Sequence, residues 1–385
     1  MTLADIISVL LLFCLALSGL YHVFSVFCVV EFFGRRNGSG IIPPSVPVSI
    51  VKPLKGVDHE LKENLQTFCS QDYPEFEVLL GFSEPADGEV QLVKDLAAAC
   101  ADVRVRMIIS SIQLGANKKV SNLQGIVDSA RYALLAISDS DMRVDRFYLR
   151  NIVDEYYREG NAGLVTCLYK ITSPRTVGAA LESLTIALDF IPSVLVARRL
   201  EGVTFGLGAS LLISTKALED IGGLSAVADY LADDYQIGYR LWKQGYNIIL
   251  SGVVIENVVG PMSIRSHFLH QLRWARTYRA SRPKGFAGYG ITHLVALSLF
   301  LLVLQGPNAL TISIIGISLA LRFSMATIIY RKVIRSKNWI KWLVLLPLKD
   351  ILSFCIWSWS FANRSVSWRG KSYTISKGGT IRETE

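Results

Sequence analysis

Charge is scarce in this chain. Asp, Glu, Lys and Arg make up 19% of its 385 residues against 51% apolar residues, and mean hydropathy is +0.37. A soluble domain carries about 25% charged residues, so this composition points to a membrane protein. Histidine occurs five times, and the six cysteines (Cys14, Cys28, Cys69, Cys100, Cys167, Cys355) fall into no metal-finger spacing. That excludes a zinc finger; several thiols lie in apolar runs, where they pack as small hydrophobes and are read as reduced and structural. No phosphate loop is present either, since the Gly206-Leu207-Gly208-Ala209-Ser210 stretch is not part of a G-x-x-x-x-G-K-S/T pattern. Its small residues suit close approach of a backbone or a lipid chain. There is no internal repeat and no low-complexity tract. The excess of Lys and Arg, 40 against 32 acidic residues, gathers beside apolar runs, which favours a membrane surface and an anionic ligand over nucleic acid.

Residues 6–33 form an apolar run with Asp5 before it and Arg35-Arg36 after it, long enough for the ~20 residues of a bilayer crossing. The run exceeds the apolar core of a cleavable leader, so residues 1–36 are read as an anchor. The Arg pair places the chain beyond residue 36 on the cytoplasmic side. After a Gly- and Pro-rich linker, residues 45–282 make one domain. Its apolar stretches at 48–51, 76–82, 103–109, 133–137 and 163–168 alternate with helix-like segments, the pattern of an α/β domain with a largely parallel sheet. Residues 283–362 turn apolar again, with candidate membrane segments at 291–305, 309–330 and 339–361. The last carries Pro347, Lys349 and Asp350 at its middle. Ionisable groups at bilayer depth cost ~2.5 to 3.5 kcal/mol each, so a break or an interfacial helix is expected there. Residues 363–385 read as a basic cytosolic tail.

Asp139-Ser140-Asp141 directly follows an apolar strand, and ligands of open α/β sheets bind at the carboxyl ends of strands. Two carboxylates at this spacing suit Mg²⁺ or Mn²⁺ holding a diphosphate; they equally suit an acidic turn. Asp233-Asp234 opens a helix running to Lys243. Either carboxylate can serve as a general base, or both can simply complement the helix dipole. His270-Gln271-Leu272-Arg273-Trp274, with Arg276 and Arg279, sits before the membrane region, where arginines can hold a diphosphate or touch lipid phosphates.

In this order, Asp139-Ser140-Asp141, Asp234 within Ala232-Asp233-Asp234-Tyr235, and His270-x-x-Arg273-Trp274 behind an N-terminal anchor resemble the ceramide glucosyltransferase family, and most closely its bacterial branch associated with hopanoid biosynthesis. Lys52-Pro53-Leu54-Lys55-Gly56, Asn117 to Leu123, Gly163 to Tyr169 and Ser367-Trp368-Arg369-Gly370 extend the likeness over nearly the whole chain. The resemblance implies an α/β fold of GT-A type (a Rossmann-like mixed sheet) with N- and C-terminal transmembrane helices. It also implies an inverting transfer of a hexose or N-acetylhexosamine from a UDP-sugar donor to a membrane lipid acceptor, a hopanoid polyol before ceramide before diacylglycerol. Asp139 and Asp141 would hold Mg²⁺ or Mn²⁺ and the donor, with Lys52, Pro53, Lys119 and Asn122 nearby and Glu84, or Asp87, toward the uracil. Asp234 would be the catalytic base, and Asp233, His270, Arg273 and Trp274 would complete the acceptor or diphosphate site. His270 departs from the Gln or Arg of the family pattern. The implied setting is a multi-pass protein of the bacterial inner membrane, its catalytic domain cytoplasmic and bound to no nucleic acid. A processive polysaccharide synthase would need more regular membrane helices, and a non-catalytic scaffold would bind no nucleotide.

Overall fold

The computed structural model describes residues 2–34, 45–336, 338–368 and 370–384. Arg35, Arg36, most of the linker and Arg369 lie outside the described residues. In chain order the elements are α1 (Leu3–Gly34), β1 (Val48–Pro53), α2 (Leu61–Cys69), β2 (Phe76–Phe82), α3 (Asp87–Ala99), β3 (Arg104–Ile109), α4 (Lys118–Asp128) and β4 (Leu134–Ile137). Next come β5 (Met142–Arg143), α5 (Tyr148–Arg158), β6 (Ala162–Lys170), α6 (Val177–Thr185), α7 (Ile191–Glu201), β7 (Leu211–Ser214), α8 (Thr215–Asp220), α9 (Asp233–Lys243) and β8 (Asn247–Asn257). The remainder is α10 (Ile264–Ser281), α11 (Pro283–Tyr289), α12 (Leu294–Gln305), α13 (Ala309–Ile329), α14 (Leu346–Trp359), β9 (Ser365–Trp368), β10 (Lys371–Ile375) and β11 (Ile381–Glu383).

Eight strands form one sheet in the order β3-β2-β1-β4-β7-β6-β8-β5. The first four are mutually parallel, β7 runs antiparallel to both β4 and β6, and β8 is parallel to β6. Successive strand residues point to opposite faces, and here both faces are apolar. Val48, Ile50, Val78, Leu80, Leu134 and Ala136 pack on one side with α2, α5 and the α6–α7 region. Val51, Leu79, Leu135 and Ile137 pack on the other with α4, α8 and α9. Burial on both faces explains the unbroken apolar runs in the sequence.

Three described helical segments are long and apolar enough to cross a membrane: Leu3–Gly34, Ala309–Ile334 and Val177–Glu201. The third is largely enclosed by protein, with 78% of its apolar window buried against 17% and 28% for the others. It joins α6 to α7 through a π turn at Ile186–Phe190. The segment expected at 291–305 is bent by 62° between Pro283–Thr292 and α12. The 12 residues of α12 span only about 18 Å, short of a bilayer core. In the segment at 339–361 a 3₁₀ turn at Ile340–Leu345 leads into α14, which carries Pro347 in its first turn and continues through Lys349 and Asp350.

The residues read as a polar tail instead fold into a three-stranded antiparallel sheet, β11-β10-β9. Its backbone is tied to the loop before α9, Ile381 N–H donating to Asp229 O at 2.7 Å and Leu231 N–H to Gly379 O at 3.3 Å. Arg276 and Arg279 donate to carbonyls of residues 360–365, so in this structure they brace the tail.

Candidate active site

The carboxyl end of β4 opens onto a cavity of about 630 Å³. β4 delivers Asp139 and Asp141 to its wall, and Lys52 at the end of β1 supports the turn between them from below. The Lys52 ammonium is fully buried, donates to Ser138 Oγ and to the Asp139 carbonyl, and lies 3.6 Å from the Phe68 ring centroid. Burial outweighs the pull of the nearby aspartates and lowers its pKa to about 7. Asp141 moves the opposite way, to about 6, through burial and the adjacent Asp139 charge.

Asn117 organises the opposite wall. Its Oδ1 caps α4 by accepting from Lys119 N–H (2.9 Å) and Val120 N–H (3.3 Å), and its Nδ2 donates to Tyr230 O (2.7 Å) and Asp233 Oδ1 (3.3 Å). One side chain thus positions Lys119 and holds α4 to the start of α9. Lys119 Nζ lies 2.7 Å from Asp139 Oδ1 and 3.8 Å from Asp233 Oδ2. Burial opposes its charge, but Asp139, Asp233 and Asp234 outweigh it and raise the pKa.

Asp234 accepts from Gly208 N–H at 2.5 Å and from Tyr235 N–H at 2.8 Å. Burial first, then the Asp233 charge, raises its pKa to about 6. The small-residue stretch before β7 makes this possible by close backbone approach. A side chain at Gly238 would lie 2.2 Å from Gly206 N, and one at Gly208 would lie 2.9 Å from Asp234 Oδ2 and 3.5 Å from Asp139 Oδ2. Gly208 thereby leaves open the space between the two carboxylates.

α10 closes the cavity with His270, Gln271, Arg273 and Trp274. Trp274 packs against Tyr169, Phe190 and His270, with ring centroids at 6.4, 6.2 and 4.9 Å. From there the cavity continues to Phe286, Tyr289, Ile356 and Trp357 of α11 and α14. Lys119, Asp139, Asp141, Asp233, Asp234, His270, Arg273 and Trp274 therefore share one cavity. Lys52, Pro53, Asn122 and Glu84 do not line it: Asn122 is buried and donates to Leu54 O and Gly81 O, and Glu84 is exposed after β2.

Residues 10–381 match the model of glycosyl transferase family 21. The chain belongs to that family. Ceramide glucosyltransferase 1 of Caenorhabditis elegans is 27% identical over 70% of this chain and 59% of its own length, and ceramide glucosyltransferase 3 of the same organism is 27% identical over 61% and 51%. The chain thus spans a little over half the length of these curated relatives. Among solved structures, the mannosyltransferase PcManGT from Pyrobaculum calidifontis, in complex with GDP-Man and Mn²⁺, aligns over 93% of this chain and 99% of its own, with a TM-score of 0.54 and 17% identity. That likeness establishes the GT-A fold.

Within this cavity of the family-21 chain one buried group escaped sequence reasoning. Glu182 of α6 accepts from His267 Nδ1 (2.7 Å), His270 Nδ1 (3.0 Å) and Gln271 Nε2 (2.8 Å), fixing the α10 motif from behind and holding the His270 ring by its Nδ1. Asp58 is a second omission; it lines the cavity and accepts from Ser140 Oγ. Among the described residues no three His, Cys, Asp or Glu side chains are placed to hold a metal by themselves. Mg²⁺ and related cations are commonly held by one or two carboxylates together with substrate phosphates. Asp139 and Asp141, with the space kept by Gly208 between Asp139 and Asp234, fit that arrangement.

Proposed function

We propose that this protein is a membrane-bound inverting glycosyltransferase that moves a hexose or N-acetylhexosamine from a UDP-sugar to the hydroxyl of a membrane lipid. The observation that carries the proposal is the single cavity joining Asp139, Asp141 and Asp234 to the aromatic side chains of α11 and α14. A soluble sugar nucleotide needs the charged end; a lipid needs the apolar end. The acceptor is a hopanoid polyol or, next, ceramide, the latter supported by the names of the relatives. Leu3–Gly34 and Ala309–Ile334 would span the bilayer, with the domain from residue 45 to 282 on the cytoplasmic side.

In this mechanism Asp139 and Asp141 would hold Mg²⁺ or Mn²⁺, which neutralises the diphosphate and makes UDP a competent leaving group. Lys119, engaged with Asp139 and Asp233, would add its charge to the binding of the diphosphate. Trp274 and its aromatic neighbours position the acceptor. Asp234 takes the proton of the lipid hydroxyl as its oxygen bonds to the anomeric carbon and the bond to UDP breaks. Burial and the Asp233 charge raise its pKa, which makes this carboxylate more basic than an exposed one.

The test is transfer by the detergent-purified protein, with UDP-glucose and UDP-N-acetylglucosamine each offered against a hopanoid polyol and ceramide, with Mn²⁺ or EDTA. Asp234→Asn should lower turnover by at least about 10²-fold while UDP binding persists. Loss of binding and turnover together would remove Asp234 from the role of base, and UDP release no greater than that of Asp139→Ala with every pairing would overturn the function.

A further inference from the structure

The apolar end of the cavity has a polar floor. Asp189, in the π turn between α6 and α7, and Ser353 of α14 both line the cavity. Behind them, away from the cavity lining, lie Arg322 of α13 and Lys349 and Asp350 of α14, each at most 6% exposed. Arg322 pairs with Asp189 (3.2 Å) and Asp350 (2.6 Å); Lys349 pairs with Asp350 (3.1 Å) and with Asp189. Two cations thus balance two carboxylates among apolar helices. Ionisable groups in such surroundings are costly, and they characteristically mark a ligand path. The quartet is not sealed: Asp189 presents its carboxylate to the cavity wall, with the Ser353 hydroxyl beside it.

Ser353 Oγ–H donates to Asp189 Oδ2 at 3.2 Å, an oxygen that also accepts from Lys349, while Asp189 Oδ1 accepts from Arg322 Nη2 at 3.2 Å. Asp189 Oδ1 and the serine lone pairs keep capacity to accept, and the donors of Arg322 and Lys349 point into the quartet. The next residue, Phe190, packs on Trp274 at 6.2 Å between ring centroids, so the floor adjoins the α10 motif that positions the acceptor.

We infer that Asp189 and Ser353 form a subsite for a second polar group of the lipid acceptor, a hydrogen-bond donor (hydroxyl or amide N–H) lying below the hydroxyl that receives the sugar. The inference rests on the lipid-acceptor reading above. An acceptor that offers only ester carbonyls would leave Asp189 Oδ1 and Ser353 without a donor, and the site would disfavour it. Selectivity in such a pocket comes from leaving buried polar groups unpaired with the wrong ligand.

The experiment compares kcat/KM for four acceptors with UDP-glucose and the full-length protein in detergent: ceramide, its 3-deoxy analogue, its N-methyl analogue and 1,2-diacylglycerol. The wild type should favour ceramide over diacylglycerol by at least tenfold. Ser353→Ala, which leaves all four charges paired, should lower that ratio severalfold, and Asp189→Asn should lower it further if it folds. The analogue that loses rate with the wild type but not with Ser353→Ala identifies the donor as hydroxyl or amide. An unchanged ratio in Ser353→Ala, or a wild-type ratio near one, overturns the subsite. No transfer to any of the four, nor to a hopanoid polyol offered in parallel, overturns the acceptor reading itself.

Discussion

Replacing Lys52 by Met tests whether a buried amine supports the Asp139 turn in its neutral form. The side chain is fully buried over Phe68, and burial lowers its pKa from 10.5 to about 7. In the unfolded chain the same amine stays protonated to about pH 10.4. Between pH 7 and that value the unfolded state holds more protons than the folded one, so this residue makes stability rise with pH, by at most ~1.4 kcal/mol per unit. Met fills a similar volume without a charge, and its contribution is flat. The two lost hydrogen bonds subtract a constant of ~1 to 3 kcal/mol that does not depend on pH. Wild-type stability should therefore gain roughly 2 to 3 kcal/mol on the variant from pH 7 to 9, or about 5 °C in Tm at ~2 °C per kcal/mol for a chain of this size. Thermal unfolding of both proteins in one detergent, at half-unit pH steps, measures this. Parallel curves would mean that Lys52 remains charged in the fold, and the neutral-amine support of the turn would be refuted.

Glu182→Ala removes a buried acceptor shared by three donors and should cost about 3 to 5 kcal/mol; an unchanged Tm would show the three contacts to be unimportant. Gly208→Ala forces a methyl group to within 2.9 Å of Asp234 Oδ2 and should reduce kcat at least tenfold with little change in Tm, as measured by initial rates and thermal unfolding. Arg322→Met should destabilise by about 3 to 5 kcal/mol, because Asp350 is then left with Lys349 alone, whereas Arg322→Met combined with Asp350→Asn should recover part of that loss. A double mutant as unstable as the sum of the singles would show that the two residues are not coupled.

Most of the charged end of the cavity was legible in the sequence, because its residues advertise themselves locally. Asp139 and Asp141 follow an apolar strand, Asp233 and Asp234 open a helix, and Arg273-Trp274 interrupts a polar segment. The strands were equally plain, since burial on both faces leaves continuous apolar runs. What stayed hidden depends on contacts distant in sequence. Glu182 and Asp189 are single acidic residues in an apolar helix, and only α10, α13 and α14 show what they meet. Asn117 belongs to a stretch that carries the family likeness, but only the fold shows its amide joining Tyr230 and Asp233. The fold of the tail stayed hidden because its strands are short, and the few apolar residues they bury, Val366, Tyr373, Ile375 and Ile381, find their partner in Leu231, where the backbone meets the loop at residues 229–231.

The quartet beneath the cavity also sets an order of events during synthesis. Asp189 precedes Arg322 by 133 residues and Lys349 by 160. At about 5 to 20 residues per second, this carboxylate waits on the order of 10 to 30 s for its counter-charges to be made. Until then the α6–α7 segment has no partner for a group that apolar surroundings disfavour, and it can settle only once α13 and α14 arrive. The floor of the cavity is therefore completed late, only when α13 and α14 have been made, and a chain stalled before Lys349 has the carboxylates of the charged end but no finished floor beneath them.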